Sequence, residues 1–130
     1  MQSISTITHE KEIKRVLIID DNHEVADSLA QWLSLAGHEV YTAYTGAEAI
    51  EKVPVLKPEI ILLDIGLPDI NGYEVAKRLR ALTNVPPFKL VAVTGYGHPA
   101  DSDVFRSAGF DEYFSKPMHS SKFKSIGLEL

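Results

Sequence analysis

Three acidic side chains in this sequence follow aliphatic runs and precede polar or turn-forming residues. The run VLII leads into Asp20 and Asp21, and the run IILL leads into Asp64. An uninterrupted aliphatic run predicts a strand buried on both faces, so each acid is expected at the carboxyl end of a strand. Taken alone, Asp64 is interpreted as a cap for the turn that follows it. If Asp64 lies close to Asp20 and Asp21 in the fold, it could bind a cation or act as a nucleophile.

Two further polar side chains come at the ends of later strand-like segments. Thr94 ends the segment KLVAVT, and Lys116 follows EYFS. If these strands lie side by side in a parallel sheet, both side chains share an edge with the acids. Three crowded carboxylates repel one another unless a cation compensates their charge. Ligation by oxygen alone, with room for water, favours Mg²⁺ as that cation, with Mn²⁺ able to take its place.

Together these residues could hold and transfer a phosphoryl group. The metal and Lys116 would neutralise the phosphoryl oxygens, Thr94 would donate a hydrogen bond, and Asp64 would be the nucleophile. Each residue type is common by itself at the end of a strand. The prediction therefore depends on all of them falling at successive strand ends.

The elements that must position these residues form an alternating pattern. Five strand-like segments alternate with four helical segments and a weak fifth, which predicts an α/β fold with a parallel sheet and helices on both faces. The first, third and fourth strands are almost wholly apolar and should be central, whereas the second and fifth are mixed or short and should be edges. We therefore predict a doubly wound, flavodoxin-like sheet of order 2-1-3-4-5, with a short or irregular last helix. Its winding reverses between strands 1 and 3, where ligands bind in such sheets.

Helix boundaries follow from apolar spacing and breakers. Asn22 is predicted to cap a first helix that Gly37 ends, and a second helix is predicted over 46–53, before Pro54. Trp32 is predicted to be a core residue. The first helix should turn one apolar face inward, made of Val25, Leu29, Trp32, Leu33 and Ala36.

Composition limits the kinds of protein this can be. The chain has 130 residues, of which 45% are hydrophobic, and is expected to form one domain over 15–126 between a flexible leader or linker (1–14) and a tail (127–130). It has no cysteine, which excludes disulfides and thiolate sites, and its five histidines are scattered and interpreted as solvated or structural. A net charge of −5 without a basic cluster argues against direct nucleic-acid binding. No apolar run is long enough to span a membrane, so we expect no membrane insertion and a cytoplasmic location.

Four segments of the chain resemble the receiver domains of bacterial response regulators over roughly 14–118. They are the acid pair at 20 and 21, LLDIGLPDINGYE, VAVTG and DEYFSKP. The resemblance implies that Asp64 accepts a phosphoryl group from a histidine kinase or a histidine phosphotransfer domain and signals to a downstream effector. It also implies that Asp21 ligates the metal directly, that Asp20 acts largely through water, and that the backbone carbonyl of Gly66 is a further ligand.

The same resemblance implies how phosphorylation would change the surface. Thr94 matches the switch hydroxyl, Lys116 matches the lysine that contacts the phosphate, and Tyr113 matches an aromatic residue that turns inward when Thr94 moves. Gly66 and Tyr96 occupy two positions that tune the access of hydrolytic water in this family. Our hypothesis is that Tyr96 partly shields the phosphoryl group, whereas Gly66 neither helps nor blocks.

Other functions are open at this point. An aspartate-nucleophile phosphatase is disfavoured because Gly66 stands where it needs a second acid and because 130 residues leave no room for a cap domain. A flavodoxin-like cofactor carrier is disfavoured because the acidic loop after strand 1 would repel a flavin phosphate, and a pure interaction module would not need these polar strand ends. The expected protein is a regulatory phospho-acceptor that catalyses only its own phosphorylation and dephosphorylation. Both a stand-alone regulator and the receiver part of a hybrid histidine kinase fit, and dimerisation cannot be assigned because Gly127 interrupts the last helical pattern.

Overall fold

The computed structural model describes residues 12–95, 102–116 and 120–129. Over these residues, five parallel strands form one sheet of order β2-β1-β3-β4-β5, which confirms the predicted fold class and strand order. The strands are β1 (Arg15–Ile19), β2 (Glu39–Ala43), β3 (Ile60–Asp64), β4 (Lys89–Thr94) and β5 (Glu112–Ser115).

The helices alternate with the strands and cover both faces of the sheet. Asn22, Thr45 and Asn71 cap the first three helices, each with a side-chain oxygen that accepts a backbone N–H of the first turn. The helices are α1 (His23–Leu35), α2 (Gly46–Leu56), α3 (Gly72–Arg80), α4 (Ser102–Ala108) and α5 (Ser120–Ser125).

The central strands are buried on both sides because successive side chains point to opposite faces. Leu17 and Ile19 pack in one cluster with residues of α2, α3 and α4. Val16 and Ile18 pack in a second cluster with α1 and with Phe123 of α5. This two-sided burial explains why the interior positions of the central strands are apolar, although β1 begins at Arg15 and β4 at Lys89.

Strand register brings the ends of four strands to one edge of the sheet. Ile19 lies opposite Leu63 in the pairing of β1 with β3, and Thr94 lies opposite Ser115 in the pairing of β4 with β5. The chain therefore leaves β1, β3, β4 and β5 at nearly the same level, which is the edge where the candidate site lies.

The predicted inward face of α1 is wrong in part. Ala26 and Leu33 are fully buried, whereas Val25 and Trp32 are 41% and 40% exposed. Successive helical residues are about 100° apart around the axis. Ala26 and Leu33 point toward the sheet, so Val25 and Trp32, which precede them, point to the side of the helix. Trp32 is thus not a core residue; its ring meets that of Phe123 edge-on, with centroids 5.2 Å apart.

Two helix ends differ from the sequence-based prediction. Helix α2 continues past Pro54 to Leu56, because a proline in the last turn removes only one helical hydrogen bond. The C-terminal segment is also firmly packed: Phe123 and Ile126 are buried, and Leu128 is fully buried although it lies in the predicted tail. None of the helices in the described ranges combines the length and hydrophobicity that a membrane crossing needs.

Gly109 and Gly37 provide a matched test of packing at helix ends. Both have positive φ, +106° and +103°, but an added Cβ would lie 2.6 Å from Arg80 Cγ at Gly109 and would meet nothing within 4 Å at Gly37. Arg80 is held in place because its guanidinium donates to the carbonyls of Gly109 and Phe88 and to the Asp111 carboxylate. We expect Gly109→Ala to lower the free energy of unfolding by about 1–3 kcal/mol more than Gly37→Ala, measured by urea denaturation. Equal losses in the two variants would show that Arg80 moves aside without cost.

Candidate functional site

Three carboxylates meet where β1 and β3 end. One carboxylate oxygen from each of Asp20, Asp21 and Asp64 lies within 4.8 Å of the other two. Asp20 is buried and directly follows β1, Asp21 is exposed beside it, and the side chain of Asp64 at the end of β3 is 12% exposed. The structure therefore brings together the three acids that the sequence analysis selected.

Backbone N–H groups orient two of these acids in the same way. Oδ1 of Asp20 accepts from the N–H of Asn22, and Oδ1 of Asp64 accepts from the N–H of Gly66, both at 3.0 Å. The N–H of Asp20 donates to the Ala43 carbonyl at 3.0 Å, which prolongs the pairing of β1 with β2 to the acid itself. In each acid, Oδ2 is the oxygen that faces Lys116.

Lys116 joins the far edge of the sheet to these acids. Its N–H donates to the Thr94 carbonyl at 2.8 Å, which extends the pairing of β4 with β5. Its ammonium donates to Asp20 Oδ2 at 3.1 Å and lies 3.6 Å from Asp64 Oδ2. Thr94 ends the strand between them and is partly exposed. The predicted acids and lysine thus share one crevice, and Thr94 ends the strand that lies between β3 and β5.

Negative charge exceeds positive charge in this crevice. Burial raises the pKa of Asp64, the Gly66 N–H acts against that rise, and the charge of Asp20 adds to it. Burial alone would lower the pKa of Lys116, but its hydrogen bond to Asp20 and the charge of Asp64 outweigh burial and raise that pKa. Lys116 is therefore an ammonium at neutral pH, and three clustered carboxylates with hard oxygen donors still fit a divalent cation such as Mg²⁺.

An apolar cavity of about 710 Å³ adjoins the crevice between α1 and α5. Apolar side chains of α1 and α5, among them Trp32 and Phe123, line it together with Asp20, Asp64 and Lys116. Trp32, the single tryptophan of the chain, lines the same cavity as the carboxylates.

The remaining predicted residues lie around the crevice. Gly66 is exposed in the loop after β3, and an added Cβ would lie 3.8 Å from Asp64 Oδ1, which is an ordinary contact, so packing does not require glycine there. Tyr113 lies on β5 opposite Ala92 and is 38% exposed. Tyr96 lies outside the described residues.

Asp69 is a residue that the sequence analysis did not identify. Its carboxylate accepts the N–H groups of Gly46 and Ala47 at 3.0 and 3.1 Å, which ties the loop after Asp64 to the start of α2. These hydrogen bonds lower the pKa of Asp69. An acid after a proline in a loop carries no signal for this role, because its partners are 22 and 23 residues away.

We expect Asp64→Asn to stabilise the metal-free chain, and increasingly so as the pH rises. The pKa of Asp64 is higher in the folded than in the unfolded chain, so the folded chain binds that proton more tightly. Its contribution is therefore most favourable below the unfolded pKa and declines as the pH rises through the folded pKa. The free energy of unfolding of Asp64→Asn minus that of the parent should grow as the pH rises above the unfolded pKa of about 4, measured by urea denaturation in a chelator.

Asp69→Asn provides a control of opposite sign. The pKa of Asp69 is lowered by folding, so its stabilising contribution is present above the unfolded pKa and is lost as the pH falls through the folded pKa. This variant should be less stable than the parent at neutral pH and should approach it in acid. For each variant, the compared quantity is its free energy of unfolding minus that of the parent. If these two differences changed with pH in the same direction, the assigned electrostatic environment of Asp64 would be wrong.

Comparison with known proteins places this site in a family. Residues 16–126 match the family model described as the response regulator receiver domain. The transcriptional regulatory protein PrrA of Mycobacterium leprae (strain TN) is 40% identical over 104 residues, which cover 79% of this chain and 43% of PrrA. The chain thus spans less than half the length of this relative.

Two solved structures share the fold. A response regulator receiver domain protein (CheY-like) from Methanospirillum hungatei JF-1 is 34% identical, with a TM-score of 0.77 over 88% of this chain and 90% of that one. A response regulator from Burkholderia pseudomallei, solved with a phosphorylated aspartic acid, a calcium ion and citrate, is 29% identical, with a TM-score of 0.78 over 89% of this chain and 66% of that one.

The family match begins at the second residue of β1 and ends one residue beyond α5, so it takes in every element of the sheet and all three acids. The resemblance inferred from the sequence is confirmed by this match and by the shared fold. The chain belongs to the response regulator receiver domains, the signalling domains of two-component systems.

Proposed function

We propose that this chain is a phospho-accepting receiver domain in which Asp64 takes a phosphoryl group from a histidine kinase or a histidine phosphotransfer domain. The observation that carries the proposal is the Lys116 ammonium, which lies between Oδ2 of Asp20 and Oδ2 of Asp64 at 3.1 and 3.6 Å. A cation held beside a partly buried carboxylate is well placed to meet an oxygen of a phosphoryl group on that carboxylate.

The clustered carboxylates of Asp20, Asp21 and Asp64 would hold Mg²⁺, or Mn²⁺ in its place. The Gly66 carbonyl would be a further ligand, as the family implies. When bound, the metal would offset the negative charge of the phosphoryl oxygens. The excess of carboxylates over ammonium in the crevice supports this assignment.

Phosphoryl transfer at Asp64 needs few groups from the protein. A carboxylate oxygen of Asp64 forms a bond to phosphorus while the bond from phosphorus to the donor nitrogen breaks, and its electron pair returns to the nitrogen. Lys116 and the Thr94 hydroxyl bind the phosphoryl oxygens. Attack by water later releases inorganic phosphate and restores the carboxylate. Tyr96 partly shields the phosphoryl group from that water, whereas Gly66 neither helps nor blocks its access.

We further propose that phosphorylation is read out near β5. Thr94 moves toward the phosphoryl group, Tyr113 turns inward, and the altered surface changes affinity for an effector. With a net charge of −5, the chain itself does not bind nucleic acid, so output passes to another domain or protein. We place this exchange in the cytoplasm, in a stand-alone regulator or in a longer protein such as a hybrid histidine kinase.

The direct test is phosphorylation of the unmodified chain. Incubation with Mg²⁺ and a small acyl phosphate should add the mass of one phosphoryl group, measured on the intact protein, and a chelator should prevent the addition. Sustained hydrolysis of p-nitrophenyl phosphate without a stable protein adduct would instead indicate a phosphatase. No adduct and no hydrolysis would refute phospho-acceptance from small donors.

A further inference from the structure

Tyr113 rests face to face on a buried ring of α4. The centroids of Tyr113 and Phe105 lie 5.0 Å apart with an interplanar angle of 26°. Phe105 is 3% exposed, whereas Tyr113 is 38% exposed. The exposed tyrosine thus lies outward against a partner that is itself buried.

Phe105 is fixed by two further rings. Its centroid lies 5.4 Å from that of Tyr73 and 5.7 Å from that of Phe110, and these two rings meet each other edge-on at 6.3 Å. Tyr73, Phe105, Phe110 and Tyr113 form what we call the aromatic cluster. A ring held on several sides loses little conformational entropy when a fourth ring stacks on it, so the stack favours one placement of Tyr113.

The aromatic cluster also reaches the loop that follows Asp64. Tyr73 lies in the first turn of α3, and the N–H of the preceding Gly72 donates to the Ile65 carbonyl at 3.2 Å. An added Cβ at Gly72 would lie 2.7 Å from Ile65 Cα, so α3 starts in close contact with the residue after Asp64. The aromatic cluster therefore links the two strands that carry Asp64 and Tyr113 through α3 and α4.

We propose that Phe105 is a positioning residue that holds Tyr113 outward and so sets the fraction of the unphosphorylated chain with Tyr113 turned inward. This inference rests on the proposed function, because it concerns the same switch. The stack is present with Tyr113 38% exposed, and we take the inward turn to break it, so that the stack acts on one side of a two-state equilibrium. Its loss should raise the ratio of inward to outward Tyr113 by about 2- to 10-fold, the range expected for one aromatic pair.

The inward turn also uncovers the ring on which Tyr113 rests. Phe105 is then exposed on α4 beside Val104, which is already 46% exposed. The phosphorylated chain would therefore present a larger apolar surface on α4 than the unphosphorylated chain.

The test compares Phe105→Leu with Phe110→Leu. Both residues are nearly buried members of the aromatic cluster, but the ring pairs of Phe110 are with Phe105 and Tyr73, whereas Phe105 also pairs with Tyr113. The chain is labelled with 3-fluorotyrosine, and the Tyr113 resonance is assigned by its absence in Tyr113→Phe. Fluorine spectra are recorded with Mg²⁺, before and after addition of beryllofluoride, which mimics the aspartyl phosphate.

Before beryllofluoride is added, Phe105→Leu should move the Tyr113 signal toward its beryllofluoride position by the 2- to 10-fold change in ratio. Phe110→Leu removes only one support of Phe105 and keeps the ring on which Tyr113 stacks, so it should move the signal less. Phe105→Met has a similar volume but a longer, unbranched and more adaptable side chain, and it gives the same comparison if leucine prevents folding. A parent-like signal in the Phe105 variants, or equal shifts in the Phe105 and Phe110 variants, would overturn the inference.

Intact-mass measurement of acyl-phosphate labelling separates this inference from the proposed function. If the parent and the Phe105 variants all gain the phosphoryl mass but the Tyr113 signal does not move in the variants, the role of Phe105 is refuted and phospho-acceptance is not. A parent that gains no phosphoryl mass would refute phospho-acceptance from small donors.

Discussion

Asp64→Asn should remain at its original mass after incubation with Mg²⁺ and a small acyl phosphate, under conditions in which the parent gains one phosphoryl group. An amide is far less nucleophilic than a carboxylate, so the loss should be complete within detection. The local geometry should survive, because the asparagine oxygen can still accept the Gly66 N–H that Asp64 Oδ1 accepts at 3.0 Å. The measurement is intact mass over a time course, with folding checked by circular dichroism.

Asp103→Asn is the matched control for this loss. It makes the same chemical change at an exposed acid on α4, outside the carboxylate crevice, and should be labelled as fast as the parent. A phosphoryl mass that persists in Asp64→Asn would assign the acceptor to another side chain, with Asp20 the first to examine because its Oδ2 faces the same ammonium. Together, the two variants separate a specific acceptor from general labelling of acidic groups.

The grouping of Asp20, Asp64 and Lys116 could be predicted because it depends on few physical rules. Aliphatic runs locate strands that are buried on both faces, and alternation with helices makes them parallel. Parallel strands place their carboxyl ends at one edge, so acids and a lysine that follow them must converge. None of these steps needs the detailed packing of a side chain.

Rotation of a helix about its axis could not be predicted in the same way. The predicted face of α1 contained Leu33, which is buried, but it also contained Val25 and Trp32, which are exposed, and it left out Ala26, which is buried. The choice depends on the close approach of a small side chain to the sheet, which sequence periodicity does not encode. Trp32 consequently lines a cavity beside the site instead of filling the core.

Contacts between segments that are far apart along the chain also could not be predicted from the sequence. Asp69 binds the start of α2, and His38, interpreted only as solvated or structural, proves to be buried. Its Nδ1 accepts the Lys14 N–H at 3.1 Å, and its Nε2 lies 2.5 Å from the Glu129 carbonyl. Each of these depends on the relative placement of segments that lie far apart along the chain. The stack of Tyr113 on a ring of α4 is of the same kind.

Lys116→Ala should retain divalent-ion binding while its phosphorylation slows by about 10- to 100-fold, the effect of losing one charge-assisted hydrogen bond in the transition state. Removal of the ammonium leaves Asp20 and Asp64 without the cation that now contacts them at 3.1 and 3.6 Å, so the crevice becomes more negative and attracts Mg²⁺ at least as well. Ion binding is measured by titration of Trp32 fluorescence, and phosphorylation by intact mass.

We expect opposite effects on Mg²⁺ binding and on phosphorylation because the Lys116 ammonium repels the cation and attracts the phosphoryl group. A lysine that only stabilised the fold would change both in the same direction. Lys122→Ala is the control: its ammonium lies 5.3 Å from the Phe114 ring centroid and serves neither ligand, so both measurements should match the parent. Parent-like phosphorylation of Lys116→Ala, with a normal Tyr113 response to beryllofluoride, would remove Lys116 from the mechanism and leave the carboxylates and the metal as the groups that act on the phosphoryl oxygens.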